Sequence, residues 1–136
     1  MIYLLDTHIL LWGSNALGTQ NQLPIAAQNI IENFQNTLYF SAASIWEIAI
    51  KSALGRPDFL VNPQVFRAQL IDNGFTELAI SAQHAAAVGN LPLMHKDPFD
   101  RLLLSQAMVE GTPLVTADRL LIALVSQTPG LPIQPV

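Results

Sequence analysis

The chain has 136 residues, enough for one domain spanning 1–136. Hydrophobic residues make up 51% of it and charged residues 12%, which excludes disorder and supports a real core. There is no cysteine, so disulfides and thiolate metal sites are excluded, and a net charge of −4 means that any contact with nucleic acid must rest on local chemistry.

Residues 2–6 (IYLLD) form an apolar run ending on an acid and read as a strand. No basic segment precedes it, and Asp6 and His8 interrupt it, so a secretory leader is not expected. No continuous apolar run in the chain approaches the ~20 residues that span a bilayer, so the expectation is a cytoplasmic protein with no membrane partner. Residues 24–34 (PIAAQNIIENF) put proline at a first helical position and continue with helical periodicity. Residues 38–41 (LYFS) read as a strand, and 44–54 (SIWEIAIKSAL) as a helix that Gly55 ends.

Asn62-Pro63 opens a helix running to about residue 72, broken by Gly74. Residues 75–80 (FTELAI) read as a strand, Ser81 caps a helix through 88, and 90–97 form a loop. Asp97-Pro98 opens a helix to about residue 109 that Gly111 stops. Residues 113–116 (PLVT) are a strand, 118–125 are helical, and a last strand falls near Ile133. Short strands alternating with helices predict right-handed βαβ units. The fold class is α/β, a three-layer α/β/α arrangement around a short, mostly parallel sheet. Ligands of such sheets bind beyond the carboxyl ends of the strands.

Acids cluster at those ends. Asp6 ends the first strand, in dry surroundings, and also suits a helix N-cap. Glu47 follows the second strand by one turn. It completes a Ser44–Glu47 capping box and stands four residues before Lys51. Asp97 suits a cap and Asp100 a first helical turn. Asp118 follows the strand at 113–116 and suits another cap. Each acid has a structural reading alone. Together they would repel, and the whole chain carries only six Lys and Arg. Lys51, Lys96, Arg101 and Arg119 lie near them in sequence. A hard divalent cation, Mg²⁺ or Mn²⁺, is the simplest counter-charge. Two such ions ~4 Å apart would clamp both oxygens of a phosphoryl displacement. Thr7 and Thr116 stand beside Asp6 and Asp118 as supporting hydroxyls.

Four segments, YLLDTHILLW, SAASIWEIAIKSALG, LPLMHKDPFDRLLLSQA and PLVTADRLL, resemble in order the acidic motifs of PIN domains, specifically VapC-like toxins. The resemblance covers nearly the whole chain. It implies a Mg²⁺- or Mn²⁺-dependent endoribonuclease whose catalytic and metal residues are Asp6, Glu47, Asp100 and Asp118, with Asp97 the alternative to Asp100. It also implies an RNA substrate, a homodimer and a cognate antitoxin. The low charge content is compatible with an apolar surface covered by a partner. The scarcity of basic residues departs from the habit of RNA binders.

His8, His84 and His95 lack zinc spacing and read as satisfied or exposed imidazoles. Trp12 and Trp46 read as core or dimer packing rather than base stacking. Two other functions fit a small acidic α/β chain: a Mg²⁺-binding receiver domain, and a silent binding module that keeps the fold. The receiver needs a lysine after a late strand, and none is well placed for that.

Overall fold

The computed structural model describes residues 1–18, 22–91 and 97–136. The order is β1 (Ile2–Leu5), α1 (Thr7–Gly13), α2 (Ile25–Glu32), β2 (Thr37–Ser41), α3 (Ala42–Ala53), α4 (Pro63–Asp72) and β3 (Thr76–Leu78). Then come α5 (Ala82–Ala87), a 3₁₀ turn at Val88–Asn90, α6 (Pro98–Glu110), β4 (Leu114–Thr116), α7 (Arg119–Gln127) and β5 (Ile133–Pro135). The strands form one sheet in the order β3-β2-β1-β4-β5, and every neighbouring pair is parallel.

That order places the helices. From β1 the chain steps outward to β2 and β3, then returns to the other side for β4 and β5. Right-handed crossovers therefore put the early helices on one face and the late ones on the other. Strand alternation sorts the core accordingly. Leu5, Leu38, Phe40 and Val115 pack with Ile9 and Leu10 of α1, Ala27 of α2, and Phe66 and Leu70 of α4. Leu4 and Leu114 point the other way, onto Leu103, Leu104 and Ala107 of α6 and Leu121 and Leu124 of α7. Each buried leucine contributes about 1.5–3 kcal/mol. α3 serves both faces, giving Ile48 to the first core and Ala43 to the second. The three-layer α/β/α arrangement is as expected.

The element ends differ modestly from the sequence reading. Pro24 caps α2 rather than opening it, and the third strand contracts to Thr76–Leu78. α3 begins at Ala42, directly after β2, because Ser41 is both the last strand residue and the helix cap. Among the described residues no helix is long and apolar enough to cross a membrane.

In a parallel sheet all strands end at one edge. The outward and return paths diverge between β1 and β4, and this topological switch point is where such sheets open a crevice.

Candidate functional site

Asp6 follows β1 at the switch point and caps α1, its Oδ1 accepting the Ile9 N–H at 3.1 Å. The hydroxyl of Thr116, the last residue of β4, donates to Asp6 Oδ2. The same hydroxyl oxygen accepts the Asp118 N–H at 3.0 Å. One threonine therefore joins two of the expected acids across the crevice. Asp6 is 5% exposed. Burial pushes its carboxyl above the ordinary aspartate range, against hydrogen bonds from Thr116 and Ile9 and the charge of His8.

Asp118 is half-buried and caps α7, with Oδ1 accepting from Leu120 N at 2.8 Å and Leu121 N at 3.3 Å. Asp97 is exposed and caps α6, accepting from Phe99 N at 2.9 Å and Asp100 N at 3.3 Å. Asp100 is half-buried in the first turn of α6. The caps foreseen at Asp97 and Asp118 are thus present.

Glu47 departs from its expected setting. The cap of α3 is Ser41, whose hydroxyl oxygen accepts from Ala43 N at 2.9 Å. By Ser44 the helix is already under way, so no Ser44–Glu47 capping box forms. Glu47 is instead 4% exposed and meets Lys51 Nζ at 2.6 Å. The foreseen Glu-to-Lys pair is present, and the strongest structural explanation for the glutamate is gone. Ser44 is used elsewhere: the Thr7 hydroxyl donates to its oxygen at 2.9 Å, with both residues buried.

A second tie joins α3 to α6. Trp46, next to Glu47, packs edge-on against Phe99, next to Asp100, with ring centroids 5.0 Å apart. Trp46 is 54% exposed, so of the two expectations for it, core and dimer packing, the first does not hold. His8 is exposed with its ring 5.7 Å from that of Trp12. Arg119 is exposed, and half-buried Arg101 reaches the Val88 carbonyl at 3.2 Å. His95 and Lys96 lie outside the described residues.

The expected acids are thus hung around one edge by Thr116, Thr7–Ser44 and Trp46–Phe99. Among the described residues, however, no three acidic or imidazole side chains close on one point that would hold a metal ion. Glu47 is turned to Lys51, and Asp97 and Asp118 are turned to helix amides.

A model of the PIN domain family matches residues 3–125. The chain belongs to the PIN domain family. No curated protein matches it. Its fold is similar to that in the crystal structure of VapBC2 from Rickettsia felis bound to a promoter DNA fragment. The TM-score is 0.67 at 20% identity, covering 99% of this chain and 98% of that one. VapBC-1 from nontypeable Haemophilus influenzae is similar with a TM-score of 0.63 at 21% identity, over 99% and 98% of the two chains. A toxin–antitoxin complex from Klebsiella pneumoniae gives 0.56 at 19%, over 98% of each. At these identities the likeness is one of fold.

A PIN domain implies a divalent cation, and the donor set here suits one. All the candidates offer hard carboxylate oxygen. Asp6 is the most telling, because a carboxylate so buried calls for a proton or a cation, and the charge of His8 only partly offsets its burial.

Sequence reasoning missed a second polar cluster of this PIN domain. Fully buried Gln106 accepts from the Ser41 hydroxyl, and its amide nitrogen reaches Ala79 O at 3.4 Å. Buried His84 accepts the Ser81 N–H on Nδ1 at 3.0 Å and meets Glu110 at 2.9 Å through Nε2. That His84 is a satisfied imidazole was expected. Gln106 had a signal: it falls one turn after Leu103 and beside Ala107, on the buried stripe of α6.

Proposed function

We propose that this PIN domain is a VapC-like toxin, a metal-dependent endoribonuclease that hydrolyses RNA phosphodiester bonds. The observation that carries the reading is Asp6, a desolvated carboxylate at the switch point, joined through Thr116 to Asp118. Asp6, Glu47, Asp100 and Asp118 are assigned to hold Mg²⁺ or Mn²⁺, with Asp97 as the alternative to Asp100. When bound, the ion lowers the pKa of water and neutralises phosphoryl charge. The chain's own contribution is placement: Thr116 holds Asp6 and the Asp118 backbone, and the apolar neighbours Leu5, Ile9 and Leu10 keep water from Asp6. Glu47 becomes available when Lys51 swings away. Lys51 is one-third exposed, so that exchange needs no opening of the core.

The relatives of similar fold include toxin–antitoxin complexes, which supports a cognate antitoxin as partner. A homodimer and a cytoplasmic location complete the proposal. The receiver alternative is disfavoured by topology, since receivers run 2-1-3-4-5 while this sheet runs 3-2-1-4-5. A dinucleotide-binding role is disfavoured by the first turn, where Asp6-Thr7-His8 stands in place of a phosphate-cradling glycine loop.

The test is incubation of the purified chain with mixed RNA oligonucleotides and Mg²⁺, Mn²⁺ or chelator, beside Asp6→Asn. Cleavage that requires metal and vanishes in the variant is expected. Equal cleavage by both proteins would trace the activity to a contaminant. Metal binding without cleavage by the wild type would favour the silent binding module.

A further inference from the structure

We infer that Ser44 is a positioning residue of the candidate metal centre, fixing Glu47 relative to Asp6 through its hydrogen bond with Thr7. The inference rests on the reading of those acids as metal ligands. Thr7 directly follows Asp6 and opens α1. Ser44 precedes Glu47 by three residues on α3, which puts both on one face of that helix. The 2.9 Å bond between the two hydroxyls is therefore a cross-tie between the segments carrying two of the acids.

Two features separate this bond from routine satisfaction of buried polar groups. First, it joins segments whose acids are themselves buried: Thr7, Ser44, Asp6 and Glu47 are all 5% exposed or less. A bond in such surroundings is not exchanged for water, so it fixes the helices rigidly. Second, two hydroxyls bring two protons, and the bond uses one. Thr7 is the donor, which leaves the Ser44 proton for a further acceptor. A buried O–H donor without an acceptor is costly. An oxygen atom held between Asp6 and Glu47, whether a carboxylate oxygen turned inward or an oxygen ligand of the ion, would take it. The cap of α3 is supplied by Ser41, so helix formation does not call on the Ser44 hydroxyl.

The experiment measures Mn²⁺ affinity calorimetrically on the full chain freed of metal, with thermal melting alongside. It compares wild type, Asp6→Asn, Ser44→Ala, Ser44→Thr, Thr7→Val and the Ser44→Ala/Thr7→Val pair. Removing a partner that orients a metal ligand costs about ten- to hundredfold in affinity. Ser44→Ala is expected to bind Mn²⁺ that much more weakly, and Ser44→Thr to restore binding. Thr7→Val should match Ser44→Ala, and the pair should be no worse than either alone, because all three remove one bond. If Ser44→Ala fails to fold, Thr7→Val and Ser44→Thr carry the comparison.

Unchanged Mn²⁺ affinity in Ser44→Ala or Thr7→Val overturns the positioning role, even if melting temperature falls. Additive losses in the pair overturn it too. Failure of the wild type to bind Mn²⁺, or equal binding by Asp6→Asn, sinks the metal reading itself. That result is distinguishable because it does not involve Ser44.

Discussion

The hydroxyl of Thr116 donates to Asp6 across the gap between β4 and β1, joining residues 110 positions apart in the chain. Both oxygens of Asp6 are thereby engaged by the protein, Oδ2 by Thr116 and Oδ1 by the Ile9 amide.

Asp6 makes metal-free stability depend on pH. Its folded-state carboxyl titrates above the ordinary value of 3.8, so the folded chain binds the proton more tightly than the unfolded one. The resulting stability is complete below about 3.8 and is lost as pH rises through the folded value. Asp6→Asn should flatten this decline and should not lower the melting temperature at pH 7. Melting curves from pH 4 to 7.5 in chelator check it. A wild type whose Asp6 contribution grows with pH would contradict the assignment.

Divalent ions should reverse that loss. Mg²⁺ or Mn²⁺ at a hundred times its dissociation constant stabilises the folded state by about 2.7 kcal/mol. The melting temperature of the wild type should rise accordingly, and that of Asp6→Asn should not.

Lys51 competes with the ion for Glu47. In Lys51→Met the buried carboxylate loses its partner, and metal-free stability should fall by about 1–2 kcal/mol, a figure discounted for the partial exposure of the lysine. The rise in melting temperature on adding Mn²⁺ should become larger than in the wild type. Thermal melting with and without metal reads both effects.

Ser41→Ala removes a helix cap and strands the Gln106 carbonyl oxygen. A lost cap costs about 1 kcal/mol and a buried unsatisfied acceptor about 1–3 kcal/mol. Urea denaturation should show a loss of roughly 2–4 kcal/mol.

The contrast between Ser41 and Ser44 marks where sequence reasoning stopped. The segment Ser41-Ala42-Ala43-Ser44 offers two serines that are equally good as caps. Only the length of β2 decides between them, and strand ends are set by pairing with β1 and β3, which no local pattern records. By contrast, Asp97-Pro98 and Asn62-Pro63 were legible, because proline fixes the first helical residue and a side-chain oxygen must precede it. The parallel sheet was legible from alternation, and the carboxyl-edge position of Asp6 and Asp118 followed from it. The Thr7–Ser44, Trp46–Phe99 and Ser41–Gln106 contacts were not, since each joins distant segments through geometry rather than composition.

The direct passage from β2 into α3 leaves no slack between them. Each residue of an α-helix turns its successors by ~100°. One residue inserted or deleted between Phe40 and Ala43 would rotate the whole of α3 by that angle, carrying Glu47 away from the crevice and bringing a neighbour into its place. Loops such as 54–61 can absorb a change of length; this junction acts as a phase lock, tying the angular setting of an acid to the end of a strand.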